Sequence, residues 1–100
     1  MSETYTVARL QSVLTPVFQK NKVRKATLFG SYSKGQATAQ SDVDILVDSG
    51  LQGLAFFGLV DDVCESLDCD VDLIDVRDVI PGSRVDREIR NSGVLIYEQE

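Results

Sequence analysis

Two short motifs dominate this sequence: GSYSKG at residues 30–35 and SDVDILV at residues 41–47. The first follows a β-prone run, Val23 to Phe29, which Gly30 ends because glycine tolerates the backbone angles of a sharp turn. In the second, Asp42 and Asp44 alternate with apolar residues, as in a strand with one acidic face and one core face. The motifs together predict a turn beside paired carboxylates.

The acidic face of this second strand predicts a metal site. Carboxylates at positions 42 and 44 repel each other unless one is protonated or a divalent cation lies between them. Oxygen ligands suit Mg²⁺ or Mn²⁺. Asp72, in a later acidic strand, is the expected third ligand, with Asp70 competing for that role and an exposed strand face as the alternative. Three carboxylates can hold two metal ions.

The first motif has the residue types of a phosphate-binding turn. Gly30 lets the backbone approach phosphates, Ser31 offers an N–H and a hydroxyl, and Lys34 can reach back as a point charge. Residues 31–34 are predicted to start a short helix whose free N–H groups point towards the turn. A Gly-Ser pair alone is more often an ordinary turn, and Asp-x-Asp alone a solvated edge, but their combination favours the phosphate site. Walker A and Gly-x-Gly-x-x-Gly patterns are absent.

The rest of the chain alternates helical and extended patterns, in the order αβαβαβαβ. The predicted elements are a helix from about Thr4 to Lys20, kinked or restarted near Pro16, a strand Val43–Asp48, a helix Leu54–Leu67, a strand Asp70–Asp75, a helix Ser83–Arg90 and a last strand or tail Val94–Tyr97. The core stripe of the second long helix is predicted as Leu54, Phe57, Val60, Val63, Cys64 and Leu67. The pattern predicts an α/β (α+β) fold, a small mixed sheet with helices packed against it, in a single domain over 1–100.

Charge and composition narrow the class of protein. The net charge is −6, from 10 basic and 16 acidic residues, so long nucleic acid is a poor candidate partner. Six acids crowd one segment, of which the first three are expected to form a solvated helix face: Asp61, Asp62, Glu65, Asp68, Asp70 and Asp72. Two cysteines without histidine exclude a typical zinc site and predict reduced thiols. With no membrane span or leader pattern, a cytoplasmic location is expected.

Two features of the sequence each fit two interpretations. Arg84, Arg87 and Arg90, together with Glu88, form a stripe on the last helix that is either solvated surface or a grip for a nucleotide or an acidic partner. Tyr32 either stacks on a base or packs on the turn.

At these motifs the chain resembles the DNA polymerase β-like nucleotidyltransferase superfamily, in particular its stand-alone minimal members. The resemblance is strongest from Leu28 to Val47 and maps the family pattern to Gly30, Ser31, Gly35, Asp42, Asp44 and Asp72, with Lys34 where many members carry arginine. It implies transfer of AMP from ATP with release of pyrophosphate. It also implies a small helical HEPN-domain toxin as partner, on which a tyrosine is adenylylated, so that the transferase acts as an antitoxin.

Two other functions remain possible. One is a non-catalytic antitoxin that neutralises its partner by contact, with nucleotide as a structural ligand or absent. The other is a transferase for a small hydroxylated molecule, which the lack of an acceptor-binding domain disfavours.

Overall fold

The computed structural model describes residues 5–35, 37–38, 42–67 and 69–99. Its helices are α1 (Val7–Lys20), α2 (Leu54–Ser66) and α3 (Arg84–Ser92), with a 3₁₀ turn at Val76–Asp78, and its strands are β1 (Lys25–Phe29), β2 (Val43–Asp48), β3 (Val71–Asp75) and β4 (Val94–Glu98). The sheet order is β3-β2-β1-β4. β1 pairs antiparallel with β2 and β4, whereas β2 and β3 are parallel. The predicted mixed sheet with packed helices is confirmed.

The hydrophobic core lies between α1 and α2 and one face of the sheet. α1 contributes Leu10, Leu14 and Phe18 at helical spacing, and α2 contributes Leu59 and Val63. The facing strand residues include Leu28 of β1 and, in strict alternation along β2, Val43, Ile45 and Val47, all fully buried. This alternation leaves Asp44, Leu46 and Asp48 on the opposite face of β2.

α1 is a single continuous helix that contains Pro16, so of the two alternatives predicted there, a kink or a restart, the restart is wrong. It begins at Val7 because the Thr6 hydroxyl caps it by accepting a hydrogen bond from the Arg9 N–H at 3.0 Å. The predicted start at Thr4 lies outside the described residues. None of the helices in the described part of the chain has the length and apolar character needed to cross a membrane.

The predicted core stripe of α2 is partly wrong. Leu54 and Phe57 are 89% and 65% exposed, and Cys64 is exposed as well. Val63 and Leu67 are buried as predicted, and Leu59, which the predicted stripe omitted, packs in the core beside them. Because α2 is apolar on several sides, periodicity alone did not identify which side meets the sheet.

The end of β3 is held by a buried carboxylate. Asp75 is 2% exposed and accepts hydrogen bonds from the Ser49 hydroxyl and from the Arg77 N–H, which begins the 3₁₀ turn. Burial alone raises the pKa of Asp75, but these hydrogen bonds outweigh it and hold the pKa below its ordinary value. Asp75 therefore has a structural role, whereas Asp72 lies on the other, exposed face of the same strand.

Candidate functional site

The two sequence motifs meet at one end of the sheet. Phe29, the last residue of β1, pairs with Asp44 of β2, and Gly30 follows with a φ of +73°. A Cβ atom on Gly30 would overlap Oδ2 of Asp44. The backbone of the turn therefore packs directly on this carboxylate, and no other residue type fits at position 30 without displacing it.

The turn itself differs from the prediction. Residues 30–35 form consecutive turns, so the predicted short helix at residues 31–34 is wrong. The turn is closed instead by the Ser33 hydroxyl, which donates to the Gly30 carbonyl at 2.9 Å, and by the Gly35 N–H, which donates to the Tyr32 carbonyl at 3.5 Å. Tyr32 is buried in the core cluster, so it packs beneath the turn and does not form a stacking platform.

The acidic residues gather around Asp44. Parallel pairing of β2 and β3 sets Asp44 opposite Asp72, and Asp42 lies just before β2 on the same face as Asp44. Burial, followed by the charges of Asp72, Asp42 and Glu88, raises the pKa of Asp44 to about 6. At neutral pH the Asp44 carboxylate is thus ionised at an energetic cost that a cation would relieve.

The donor set suits a hard divalent cation, because every expected ligand is a carboxylate oxygen. In the parts of the chain that the structure describes, no three His, Cys, Asp or Glu side chains are close enough to hold a metal ion as they stand. Asp42, Asp44 and Asp72 nevertheless share one face and one end of the sheet. Asp70 is exposed at this same end, where its carbonyl accepts from the Val43 N–H at 2.9 Å.

Glu88 of α3 also belongs to this site, although the sequence placed it only in the charged stripe of the last helix. Its Oε1 lies 3.9 Å from the Lys34 nitrogen and 3.3 Å from Nε of Arg84. Its charge also contributes to the raised pKa of Asp44. In the sequence Glu88 stands among arginines, and no local signal shows that α3 folds against the turn.

Three other charged residues of the sequence analysis, Arg84, Arg90 and Asp62, contact nearby side chains. Arg84 and Arg90 each pair with an acid four residues away on their own helix. Asp62 accepts a hydrogen bond from Asn21 at 3.0 Å, the main reason for its lowered pKa, and so joins α2 to the end of α1. Asp61 and Glu65 are exposed, as expected for a solvated helix face, and Asp68 lies outside the described residues.

Comparison with known proteins places this geometry in a family. The family model described as Polymerase beta, Nucleotidyltransferase matches residues 13–100. The chain is 35% identical over 81 residues to MJ0128 of Methanocaldococcus jannaschii, a protein provisionally named a protein adenylyltransferase, and the match covers 79% of this chain and 80% of that protein.

Solved structures agree with this match. A chain of a toxin-antitoxin crystal structure with AMP-PNP matches with a TM-score of 0.72 and 29% identity, over 90% of this chain and 74% of that one. A chain of the complex between the tri-AMPylated HEPN toxin of Shewanella oneidensis and its MNT antitoxin matches with a TM-score of 0.67 and 26% identity, over 94% and 74%. This chain therefore belongs to the polymerase β nucleotidyltransferase family.

Proposed function

We propose that this protein is a metal-dependent adenylyltransferase that transfers AMP from ATP to a tyrosine hydroxyl of a partner HEPN-type toxin and thereby acts as its antitoxin. The observation that carries the proposal is the contact between Gly30 and Asp44, which joins a phosphate-binding turn to an acidic strand. Support comes from the family match and from relatives crystallised with AMP-PNP or with a tri-AMPylated HEPN toxin.

Each site residue has a proposed role. Gly30 and Ser31 bind the phosphates through the turn, and Lys34 offsets their charge. Asp42, Asp44 and Asp72 would hold Mg²⁺, as two ions, or Mn²⁺. When bound, the metal supplies positive charge for the triphosphate and lowers the pKa of the attacking hydroxyl. The raised pKa of Asp44 supports this assignment, because crowded carboxylates favour a cation between them.

The proposed reaction is a displacement at the α-phosphorus of ATP. The tyrosine oxygen forms a bond to this phosphorus while the bond to the bridging oxygen of the β-phosphate breaks, and pyrophosphate leaves. The hydroxyl proton passes to a carboxylate or to water, because the sequence contains no histidine. The Gly30 turn and Lys34 keep the leaving phosphates in place.

The acceptor and the setting belong to the same proposal. Asp42 and Asp72 are exposed at one end of the sheet, so the partner protein would cover this end and bring its hydroxyl to the site. Cys64 and Cys69 form no disulfide, which is compatible with the reducing cytoplasm, where ATP is also abundant.

The decisive experiment incubates the protein with Mg²⁺, ATP and a candidate HEPN-type partner protein. Label from α-³²P-ATP is expected on the partner, whereas label from γ-³²P-ATP is not, because the α-phosphate is transferred and the γ-phosphate leaves with pyrophosphate. Asp44→Asn should abolish transfer. Asp48→Asn is the matched control, because Asp48 lies on the same face of β2 but at its other end, beside Lys25.

Labelling by the wild type and Asp48→Asn, but not by Asp44→Asn, would support the proposal. A stable complex without label from any nucleoside triphosphate, with neutralisation intact in Asp44→Asn, would instead show an antitoxin that acts by contact alone.

A further inference from the structure

Glu88 holds two cationic side chains at the edge of the candidate site. It accepts a hydrogen bond from Nε of Arg84 at 3.3 Å, and its Oε1 lies 3.9 Å from the Lys34 ammonium nitrogen. The Glu88 side chain is only 23% exposed, whereas that of Arg84 is 87% exposed. Glu88 is therefore the least exposed of the three charged side chains, and the Lys34 side chain extends from the turn towards it.

This ion pair fixes the side of the turn on which Lys34 lies. Glu88 is near enough to Asp44 for its charge to act on that carboxyl. Lys34 paired with Glu88 is therefore on the side of the acidic residues, where the triphosphate is expected. A lysine stem has four rotatable bonds, so without a partner the ammonium would spread over many positions in solvent.

At this distance Glu88 can orient the Lys34 ammonium group and still leave it available to a phosphate ligand. A separation of 3.9 Å is longer than a hydrogen bond, and an ammonium group carries three N–H donors. Lys34 can therefore donate to phosphate oxygens while its attraction to Glu88 persists. Ordering the lysine before the ligand arrives lowers the entropy lost on binding.

We propose that Glu88 is a positioning residue that orients Lys34 for the triphosphate. The inference rests on the proposed function, since it takes ATP as the ligand. It assigns to α3 a part in nucleotide binding, and it gives the last helix a role other than a basic surface. If Glu88 instead withheld Lys34 from the nucleotide, removal of the Glu88 charge would strengthen ATP binding.

The test compares ATP affinity in a double-mutant cycle, by titration calorimetry with Mg²⁺ and no acceptor protein. Glu88→Gln keeps the size of the side chain and loses its charge, and should weaken ATP binding about fivefold. In a Lys34→Met background the same change should have almost no effect, because the lysine it orients is gone. In transfer assays, the KM for ATP should rise while kcat stays within about twofold.

Asp86→Asn is the matched control on the same helix. Asp86 pairs with Arg90 at 3.2 Å and accepts from the Gly82 N–H at 2.8 Å, so this variant weakens α3 without touching Lys34. Its ATP affinity should equal that of the wild type. An equal loss in Asp86→Asn would mean that the helix and not the ion pair matters, which would overturn the inference.

Other outcomes are equally clear. Tighter ATP binding by Glu88→Gln, unchanged binding, or an undiminished effect in the Lys34→Met background would each overturn the positioning role. If the wild type bound ATP but labelled no acceptor, the proposed function would be overturned, while the Glu88 and Lys34 double-mutant cycle could still be measured through ATP affinity. A wild type that does not bind ATP would overturn both.

Discussion

At the scale of single residues, Gly30 and Gly35 show two different demands for glycine. Both adopt left-handed backbone angles, with φ of +73° and +70°. A Cβ on Gly30 would collide with the Asp44 carboxylate, whereas one on Gly35 would meet nothing within 4 Å. Gly35 therefore serves the backbone alone, while Gly30 also leaves room for a residue of the site.

This difference predicts unequal effects of alanine. Both Gly30→Ala and Gly35→Ala should lower the free energy of unfolding by about 1–2 kcal/mol, the cost of a left-handed alanine. Only Gly30→Ala should lose AMP transfer, because it also displaces Asp44. Urea unfolding and the labelling assay measure the two effects. Full transfer by Gly30→Ala would contradict the contact as the basis of the site.

The raised pKa of Asp44 predicts a gain of stability when its charge is removed. The pKa is about 6 in the folded protein against an ordinary 3.8, so the folded state binds the proton more tightly. Its ionisation therefore costs stability above pH 6, and the cost fades as the pH falls towards 4. In a chelating buffer at pH 7, Asp44→Asn should raise the free energy of unfolding by about 1 kcal/mol after solvent screening.

The measurement is urea unfolding at pH 7 and pH 4. The stabilisation by Asp44→Asn should be present at pH 7 and largely absent at pH 4, and Asp48→Asn serves as the control on the same strand. If Asp44→Asn were only as stable as the wild type at pH 7, or less stable, ionisation of Asp44 would not destabilise the folded protein.

At the scale of elements, strands were more predictable than helix faces. β2 alternates strictly between buried and half-buried residues, because a strand sends successive side chains to opposite faces and its acids could only lie on one of them. In α2, Leu59 is fully buried although the predicted stripe omitted it, while Leu54 is exposed. A helix rich in apolar residues offers several possible faces, and the packing partner selects one.

The two leucines of α2 provide a direct test. Leu59→Ala should lower the free energy of unfolding by about 3 kcal/mol, because it leaves a cavity between α2 and the sheet. Leu54→Ala removes the same atoms from an exposed position and should change it by less than about 0.5 kcal/mol. Urea unfolding of both variants measures the contrast. Equal losses would contradict the observed orientation of α2.

At the scale of the whole molecule, metal binding should raise thermal stability, and the excess of acidic residues means that a specific site must be distinguished from general attraction of cations. The net charge of −6 attracts any cation weakly, but a specific site adds stability only where its ligands are intact. Millimolar Mg²⁺ should therefore raise the Tm of the wild type by about 4 °C above a KCl control of equal ionic strength. Asp48→Asn should show the same rise.

The variant that lacks both Asp42 and Asp44 charges, with asparagine at each position, should lose this response to Mg²⁺. Thermal unfolding followed by circular dichroism provides the measurement. If this double variant gained as much Tm as the wild type, the cation would be acting on the general negative charge and not at the proposed site.

The sequence by itself determined the local parts of this protein: a glycine turn after one strand, carboxylates on one face of the next, and a mixed sheet with helices packed on it. These features follow from the left-handed freedom of glycine and the period of two in a strand, which neighbouring residues set. The tertiary structure alone decided the contact of Gly30 with Asp44, the register of Asp44 with Asp72, and the pairing of Lys34 with Glu88. Each depends on segments far apart in the chain, whose approach is set by how the whole core packs.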